Sequence, residues 1–306
     1  MKVLIISGFL GAGKTSFIKE LAKRTKKDFV ILENEYGEVG IDGPLLNQES
    51  QLNQKNNEEN IEMKVWELTE GCVCCSMKAD FATSILTIAN ALDPEFLVIE
   101  PTGVGVLSRV IENVKQIEYE RISMLKPITL VDGHSYDRYI AEFADIYCDQ
   151  IASAGTVIVS KMEFASQEEL FALEKQLKEH NTEGEILLEH YTKKEDEWWH
   201  KLLKQSLDGT ILVTQEIEEP TLENIGLQNI SLLSENHLIA FLEDILRGKY
   251  GNIVRAKGYL NINNAWLRFD IADRLYAITG IEEMEDTRAV FIGKDIQRTT
   301  LKQLFQ

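Results

Sequence analysis

The N-terminal fifteen residues constrain this chain more than any other segment. An apolar run, Val3-Leu4-Ile5-Ile6, leads directly into Gly8-Phe9-Leu10-Gly11-Ala12-Gly13-Lys14-Thr15. The second segment fits G-x-x-x-x-G-K-[ST], in which backbone N–H groups and a helix N-terminus wrap a phosphate. The glycines permit the close approach and unusual dihedrals that such a wrap needs. Gly11, Ala12, Gly13 and Ser16 form the expected cradle. Lys14 is expected to reach the β/γ oxygens, and Thr15 to set its hydroxyl on Mg²⁺. The motif requires a strand before it and a helix after it, so the start of the fold is strand, loop, helix. The apolar run ends in a glycine loop and not in a small-residue cleavage site, so it reads as a buried strand rather than a leader.

The pattern beyond this loop extends the same architecture. Strands are expected at 28–33, 64–68, 96–100, 128–131, 156–159 and 186–188, and those at 96–100, 128–131 and 156–159 are continuous apolar runs. Helical spacing falls at 79–92, 136–154 and 167–180. Apolar strands alternating with helices indicate a mostly parallel sheet covered on both faces, an α/β class P-loop NTPase domain. The polar run 47–60 has a single strong hydrophobe, Leu52, and reads as a mobile surface insertion. Near residue 208 the order changes. A strand near 228–232, a helix at 235–248, strand-like segments at 253–262 and 266–278, a strand at 289–293 and a helix from 296 describe a smaller α+β domain. The expected division is therefore 1–208 and 209–306.

Charge narrows the partners. Fifty acidic against 32 basic residues give a net charge of −18. A nucleic-acid or anionic-membrane binder carries a basic face, so neither partner is expected. No apolar run approaches the ~20 residues of a membrane helix. With no export signal, the expected compartment is the cytoplasm, where thiols stay reduced.

Three further motifs carry chemistry. Glu100 ends an apolar strand before Pro101-Thr102-Gly103, where an acid can hold Mg²⁺ through water. Thr102-Gly103 is then a turn that senses the γ-phosphate. Ser160-Lys161-Met162-Glu163 follows another apolar strand, where GTPases read guanine with Asn/Thr-Lys-x-Asp. Glu163 takes the acidic place, one methylene longer, and Ser160 takes the Asn place. Gly71-Cys72-Val73-Cys74-Cys75 sets three thiols within four positions, a set suited to a soft or borderline cation such as Zn²⁺ or Co²⁺. Redox use of Cys72 and Cys75, and inert burial, stay open as alternatives. Glu33 and Glu38 can complete the metal shell, or stand as solvated acids or as acids near Mg²⁺. Cys148 lies within a helical stretch and is most simply a small buried hydrophobe. His134, His180, His190, His200 and His237 are scattered and read as surface or locally bonded.

Taken together, the phosphate loop, Glu33-Asn34-Glu35-Tyr36-Gly37-Glu38, the Cys72–Cys75 motif, Glu100–Gly103 and Ser160–Glu163 resemble the CobW-like P-loop GTPases. Arg255–Leu260 and Val290–Gly293 resemble that family's C-terminal domain. The resemblance implies a GTPase that binds GTP and GDP with Mg²⁺, and holds a transition metal at Cys72, Cys74 and Cys75 with Glu33 or Glu38. It implies delivery of that metal to a client metalloprotein, or help to a metallocofactor enzyme, a corrinoid-related one included. Glu163 departs from the family's Asp, and no histidine-rich loading tract is present. The expected cycle has the γ-phosphate order 33–42 and 102–106, hydrolysis loosen the metal site, and intrinsic turnover run slowly. A small-molecule phosphotransferase and a metal sensor or adaptor without real turnover are the alternatives. Self-association is left open.

Overall fold

The computed structural model describes residues 1–34, 63–68, 78–207, 222–272 and 274–305, with backbone alone for Asn34, 63–68 and 78–80. These residues cluster into two compact units, 1–34 with 63–207, and 222–305. The insertion 47–60, Glu38, the three clustered cysteines and the expected boundary at 208/209 all lie outside the described residues.

The first unit alternates strand and helix. Its elements are β1 (Lys2–Gly8), α1 (Lys14–Thr25), β2 (Phe29–Asn34), β3 (Met63–Leu68), α2 (Lys78–Ala91), β4 (Phe96–Glu100) and α3 (Leu107–Lys115). They continue with β5 (Ser123–Met124), β6 (Ile128–Asp132), α4 (Tyr136–Ala152), β7 (Thr156–Ser160), α5 (Gln167–His180), β8 (Glu185–Leu187), a 3-10 turn (Tyr191–Lys193) and α6 (Asp196–Leu202). The strand order is β3-β2-β4-β1-β6-β7-β8, with β5 beside β1, and the described pairings are parallel.

Strand alternation explains why this sheet needs two covering layers. Val3, Ile5, Val30, Leu32, Leu97 and Ile99 pack with Phe81, Ile85 and Ile88 of α2 and Leu107, Val110 and Ile111 of α3. Leu4, Ile6, Ile31, Val98 and Ile158 pack on the other face with Phe17, Ile18 and Leu21 of α1 and with Trp199 and Leu202 of α6. Each fully buried side chain of this size contributes roughly 1.5–3 kcal/mol relative to exposure. α4 closes over the phosphate loop, where the Phe9 ring lies 4.4 Å from Tyr139 and 4.9 Å from Phe143. Cys148 departs from expectation: it is only partly buried, and burial, then the Asp145 carboxylate, push its thiol above the ordinary range. β5, two residues long, was too short to leave a periodic trace.

The second unit is built differently. It contains β9 (Glu223–Gln228), α7 (Glu235–Leu246), β10 (Asn252–Ile262), β11 (Ala265–Ala272), β12 (Leu275–Gly280), β13 (Arg288–Lys294) and α8 (Arg298–Leu304). The sheet order is β12-β11-β10-β13-β9, antiparallel throughout. Phe241 of α7 is the hub of its core, with rings of Tyr250, Phe269, Phe291 and Phe305 within 6.4 Å.

Two sequence expectations are corrected in this unit. The segment 266–278 is not one strand but the hairpin β11–β12, reversed where Arg274 takes φ 59°. The strand expected near 228–232 lies earlier, at Glu223–Gln228, paired with β13. Asn229 at φ 55° ends it, donating its N–H to the Thr287 carbonyl, and Ile230 is buried from the following loop. Apolar burial outlasted the strand, which is what misplaced it. Among the described residues no helix is long and apolar enough to cross a membrane.

Candidate functional site

The phosphate loop connects β1 to α1 at the carboxyl edge of the parallel sheet, where open α/β sheets bind ligands. Its path is set by glycines: Gly8, Gly11 and Gly13 take φ of 142°, 78° and 95°. Gly8 is the most constrained, because a Cβ there would lie 2.5 Å from the Leu130 carbonyl oxygen. Gly13 is the N-cap of α1 and offers no side-chain cap, so the first N–H groups of α1 are left to serve the loop. Lys14 is buried, with Nζ donating to the Gly8 carbonyl at 3.0 Å, which holds the ammonium across the mouth of the loop. Ser16 is exposed on the first turn of α1.

Oxygen ligands gather beside that lysine. The Thr15 hydroxyl lies 3.2 and 3.4 Å from the two Glu100 carboxylate oxygens. β2 and β4 pair Glu33 with Glu100 in register, and both side chains are buried, at 4% and 8% exposure. The Thr15 hydroxyl and the Glu100 carboxylate are hard oxygen donors of the kind that suits Mg²⁺. Among the described residues, no group of three or more His, Cys, Asp and Glu is arranged to hold a metal.

The loop after β4 is held from two sides. A Cβ on Gly103 would lie 2.7 Å from the Leu10 backbone nitrogen, so this turn touches the phosphate loop with no room to spare. From behind, the buried Gln150 amide donates to the carbonyls of Gly103 (3.2 Å) and Gly105 (2.9 Å). Its neighbour Asp149 accepts from the Ser108 N–H at 3.1 Å, at the start of α3. Burial pushes the Asp149 carboxyl above its ordinary range, against the hydrogen bonds from Ser108, Leu107 and Ser153. Thr102 is buried, and its hydroxyl makes no hydrogen bond among the described residues.

The other end of the site grows from β7. The buried Ser160 hydroxyl lies 2.9 Å from the Ala12 carbonyl and 3.3 Å from that of Val131, tying the strand end to the phosphate loop. Lys161 follows at φ 61°, its Nζ 2.7 Å from Asp132 Oδ2. Asp132 is buried at the end of β6 and also accepts from the His134 N–H at 3.1 Å. Glu163 is half-exposed, and its Oε1 lies 3.1 Å from His190 Nε2. Tyr191, next to it, has its phenol raised by burial and then by the Glu20 and Glu163 carboxylates.

The structure thus gathers Gly11–Ser16, Glu33, Glu100, Gly103, Ser160, Lys161 and Glu163 along one sheet edge. Cys72, Cys74, Cys75 and Glu38 lie outside the described residues. Four contributors had not been singled out as site residues. Asp132 had a usable signal, an acid closing an apolar strand as Glu100 does. Asp149, Gln150 and His190 had none, because each reaches the site from a helix or loop distant in sequence.

Comparison with known proteins agrees with this geometry. The family model for the CobW/HypB/UreG nucleotide-binding domain matches residues 2–188, and that for the cobalamin synthesis protein CobW C-terminal domain matches 223–306. A zinc chaperone, YeiR of Escherichia coli, is 29% identical over 180 residues, covering 56% of this chain and 49% of the relative. The zinc-regulated GTPase metalloprotein activator 1 of Dictyostelium discoideum is 24% identical over 219 residues, covering 61% and 45%. The chain spans about half the length of the curated relatives it matches. Zn(II)-bound YjiA GTPase from E. coli aligns over 100% of this chain and 98% of its own, at 20% identity and a TM-score of 0.47. A glycine-built phosphate loop on a parallel sheet, matched by the nucleotide-binding model over more than half of the chain, makes this protein a member of the CobW/HypB/UreG family.

Proposed function

We propose that the chain is a GTP-hydrolysing metallochaperone that binds Zn²⁺, with Co²⁺ as the alternative cargo, at Cys72, Cys74 and Cys75 and passes it to a client metalloprotein or metallocofactor enzyme. The observation that carries this reading is the neighbourhood of β3. Glu67 of β3, Glu33 of β2 and Glu100 of β4 stand in one register across adjacent parallel strands. Residues 69–77, which hold the cysteine motif, join the end of β3 to α2. The motif therefore begins a few residues after β3, in the same sheet that carries the phosphate loop and Glu100. The names of the relatives, zinc chaperones and a GTPase activator of metalloproteins, support the choice of cargo and nucleotide.

In this reading the N–H groups of Gly11–Thr15 wrap the β-phosphate, and Lys14 exchanges the Gly8 carbonyl for phosphate oxygens. Thr15 and Glu100 would hold Mg²⁺, which would supply positive charge to offset that of the phosphates. Lys161 and Glu163 read the guanine, and Ser160 keeps that pair in register with the loop. Gly103, seated against Leu10, is where the presence of a γ-phosphate is felt by the 101–106 turn. Glu33 and Glu38 join the cysteines when the switch segments order, and hydrolysis releases the cargo. No water-positioning glutamine or arginine finger stands out by motif, so turnover is slow. The domain after 208 serves as the client-docking platform.

The test is Zn²⁺ affinity by chelator competition, in an Mg·GTP analogue and in Mg·GDP. Coupling between two ligands is reciprocal. A difference of about tenfold or more (~1.4 kcal/mol) that vanishes in Cys74→Ser/Cys75→Ser is the expected result. Equal affinity in both nucleotides sinks the switch and favours a sensor or adaptor. A phosphorylated small molecule in place of free phosphate favours a phosphotransferase.

A further inference from the structure

Glu163 poses a problem that its neighbours solve. An acid at this position must present its carboxylate in one plane to accept two donors at once. A glutamate has one more torsion than an aspartate, and this one is 41% exposed in the turn that follows β7. The group that meets it comes from the loop after the neighbouring strand. β8 pairs in parallel with β7, and the loop leaving β8 brings His190 Nε2 to 3.1 Å from Glu163 Oε1.

The His190 ring is itself fixed. It stacks on Tyr191 at 4.3 Å between centroids and 28° between planes. Its Nδ1 lies 2.7 Å from the Thr192 hydroxyl. With Nε2 carrying the proton, Nδ1 of the neutral ring accepts from that hydroxyl, which holds the orientation of the ring. Tyr191 in turn meets Phe17 edge-on at 5.1 Å, and Phe17 belongs to the helix that the phosphate loop opens. The imidazole is thus braced by the element that positions the phosphates.

We propose that His190 is the positioning residue for base selectivity: its Nε2 edge occupies one side of Glu163 Oε1 and orients the carboxylate to accept from the guanine N1–H and exocyclic amine. The proposal rests on the reading of Glu163 as the base acceptor. Oε1 keeps a lone pair, and among the described residues Oε2 has no hydrogen bond or ion pair, the arrangement that a two-donor base edge requires. It also explains how a glutamate can stand where a shorter acid is usual: the extra methylene supplies reach, and the histidine removes the freedom that comes with it.

The experiment measures binding of fluorescent GDP, IDP and XDP to the full chain. IDP keeps N1–H and lacks the exocyclic amine, so the GDP/IDP ratio reports the orientation of the carboxylate. His190→Phe keeps a ring against Tyr191 and deletes the donor. It is expected to weaken GDP about tenfold and IDP less, lowering the GDP/IDP ratio several-fold. His190→Gln, whose amide N–H can stand where Nε2 stands, is expected to recover most of both. An unchanged GDP/IDP ratio in His190→Phe overturns the proposal, as does equal loss in the Phe and Gln variants with unchanged melting. Glu163→Gln separates this failure from that of the underlying reading. If it fails to move preference from GDP toward XDP, Glu163 does not read the base, and the role given to His190 falls with it.

Discussion

The two ends of this site are made of different materials. The phosphate end is backbone: three glycines at positive φ, uncapped N–H groups at the start of α1, and a turn seated on Leu10. The end proposed to read the base is side chain: Ser160, Lys161, Glu163, Asp132 and His190, drawn from three parallel strand ends and their loops. A backbone site tolerates almost no change of residue, because its geometry is the chain path itself. A side-chain site can exchange parts and keep its logic, as a serine and a glutamate do here. The difference predicts steep losses at one end and graded ones at the other.

The largest effect is expected at Gly8. Alanine there must adopt φ 142° and place its Cβ 2.5 Å from the Leu130 carbonyl oxygen. Backbone strain and overpacking each cost about 1–3 kcal/mol. Gly8→Ala should lose about 2–6 kcal/mol of stability by denaturant unfolding, and nucleotide binding with it. Near-native stability with intact GDP affinity would show that the loop can shift, and the contrast between the two ends would collapse.

Ser160→Ala tests the link between the ends. It removes the hydroxyl that bridges β7 to the Ala12 carbonyl and leaves that buried acceptor short of a partner. Such a loss costs about 1–2 kcal/mol. GDP affinity should fall roughly five- to thirtyfold at unchanged fold, read by titration of the purified variant. A loss in GDP matched by an equal loss in pyrophosphate would place the damage in the phosphate loop. A loss confined to the nucleoside part would place it at the base end.

What could be read from the sequence follows the same divide. Gly8–Thr15 was legible because a wrapped phosphate requires a contiguous backbone motif. β4, β6 and β7 were legible because both of their faces are buried, so their apolar runs are unbroken. Asp132 and His190 were not read as site residues because their partners, Lys161 and Glu163, lie 29 and 27 residues away and only parallel strand pairing brings them together. In the second unit the hairpin at 274 was missed because β11 and β12 run on with strand-like residues through a turn that carries neither Gly nor Pro. The end of β9 was misplaced because Ile230 is as well buried as a strand residue while its backbone has already turned.

Asp149 offers the finest test, since it supports the phosphate end from behind. Its carboxylate accepts from the Ser108 N–H at the start of α3, where a negative charge is favoured. Burial acts in the opposite sense and is the larger influence, so the folded-state pKa is raised above the ordinary 3.8. A raised acid stabilises the fold fully below its unfolded pKa, and that contribution is lost as pH rises through the folded value. Asn at this position keeps an acceptor for Ser108 and carries no charge to bury. The melting midpoint of the wild type relative to Asp149→Asn should therefore be highest near pH 4, fall as pH rises, and level off toward neutrality. A difference that instead grows in favour of the wild type with rising pH would mean that the hydrogen bonds and the α3 dipole outweigh burial. The turn over the phosphate loop would then be held by a charge as well as by the Gln150 amide.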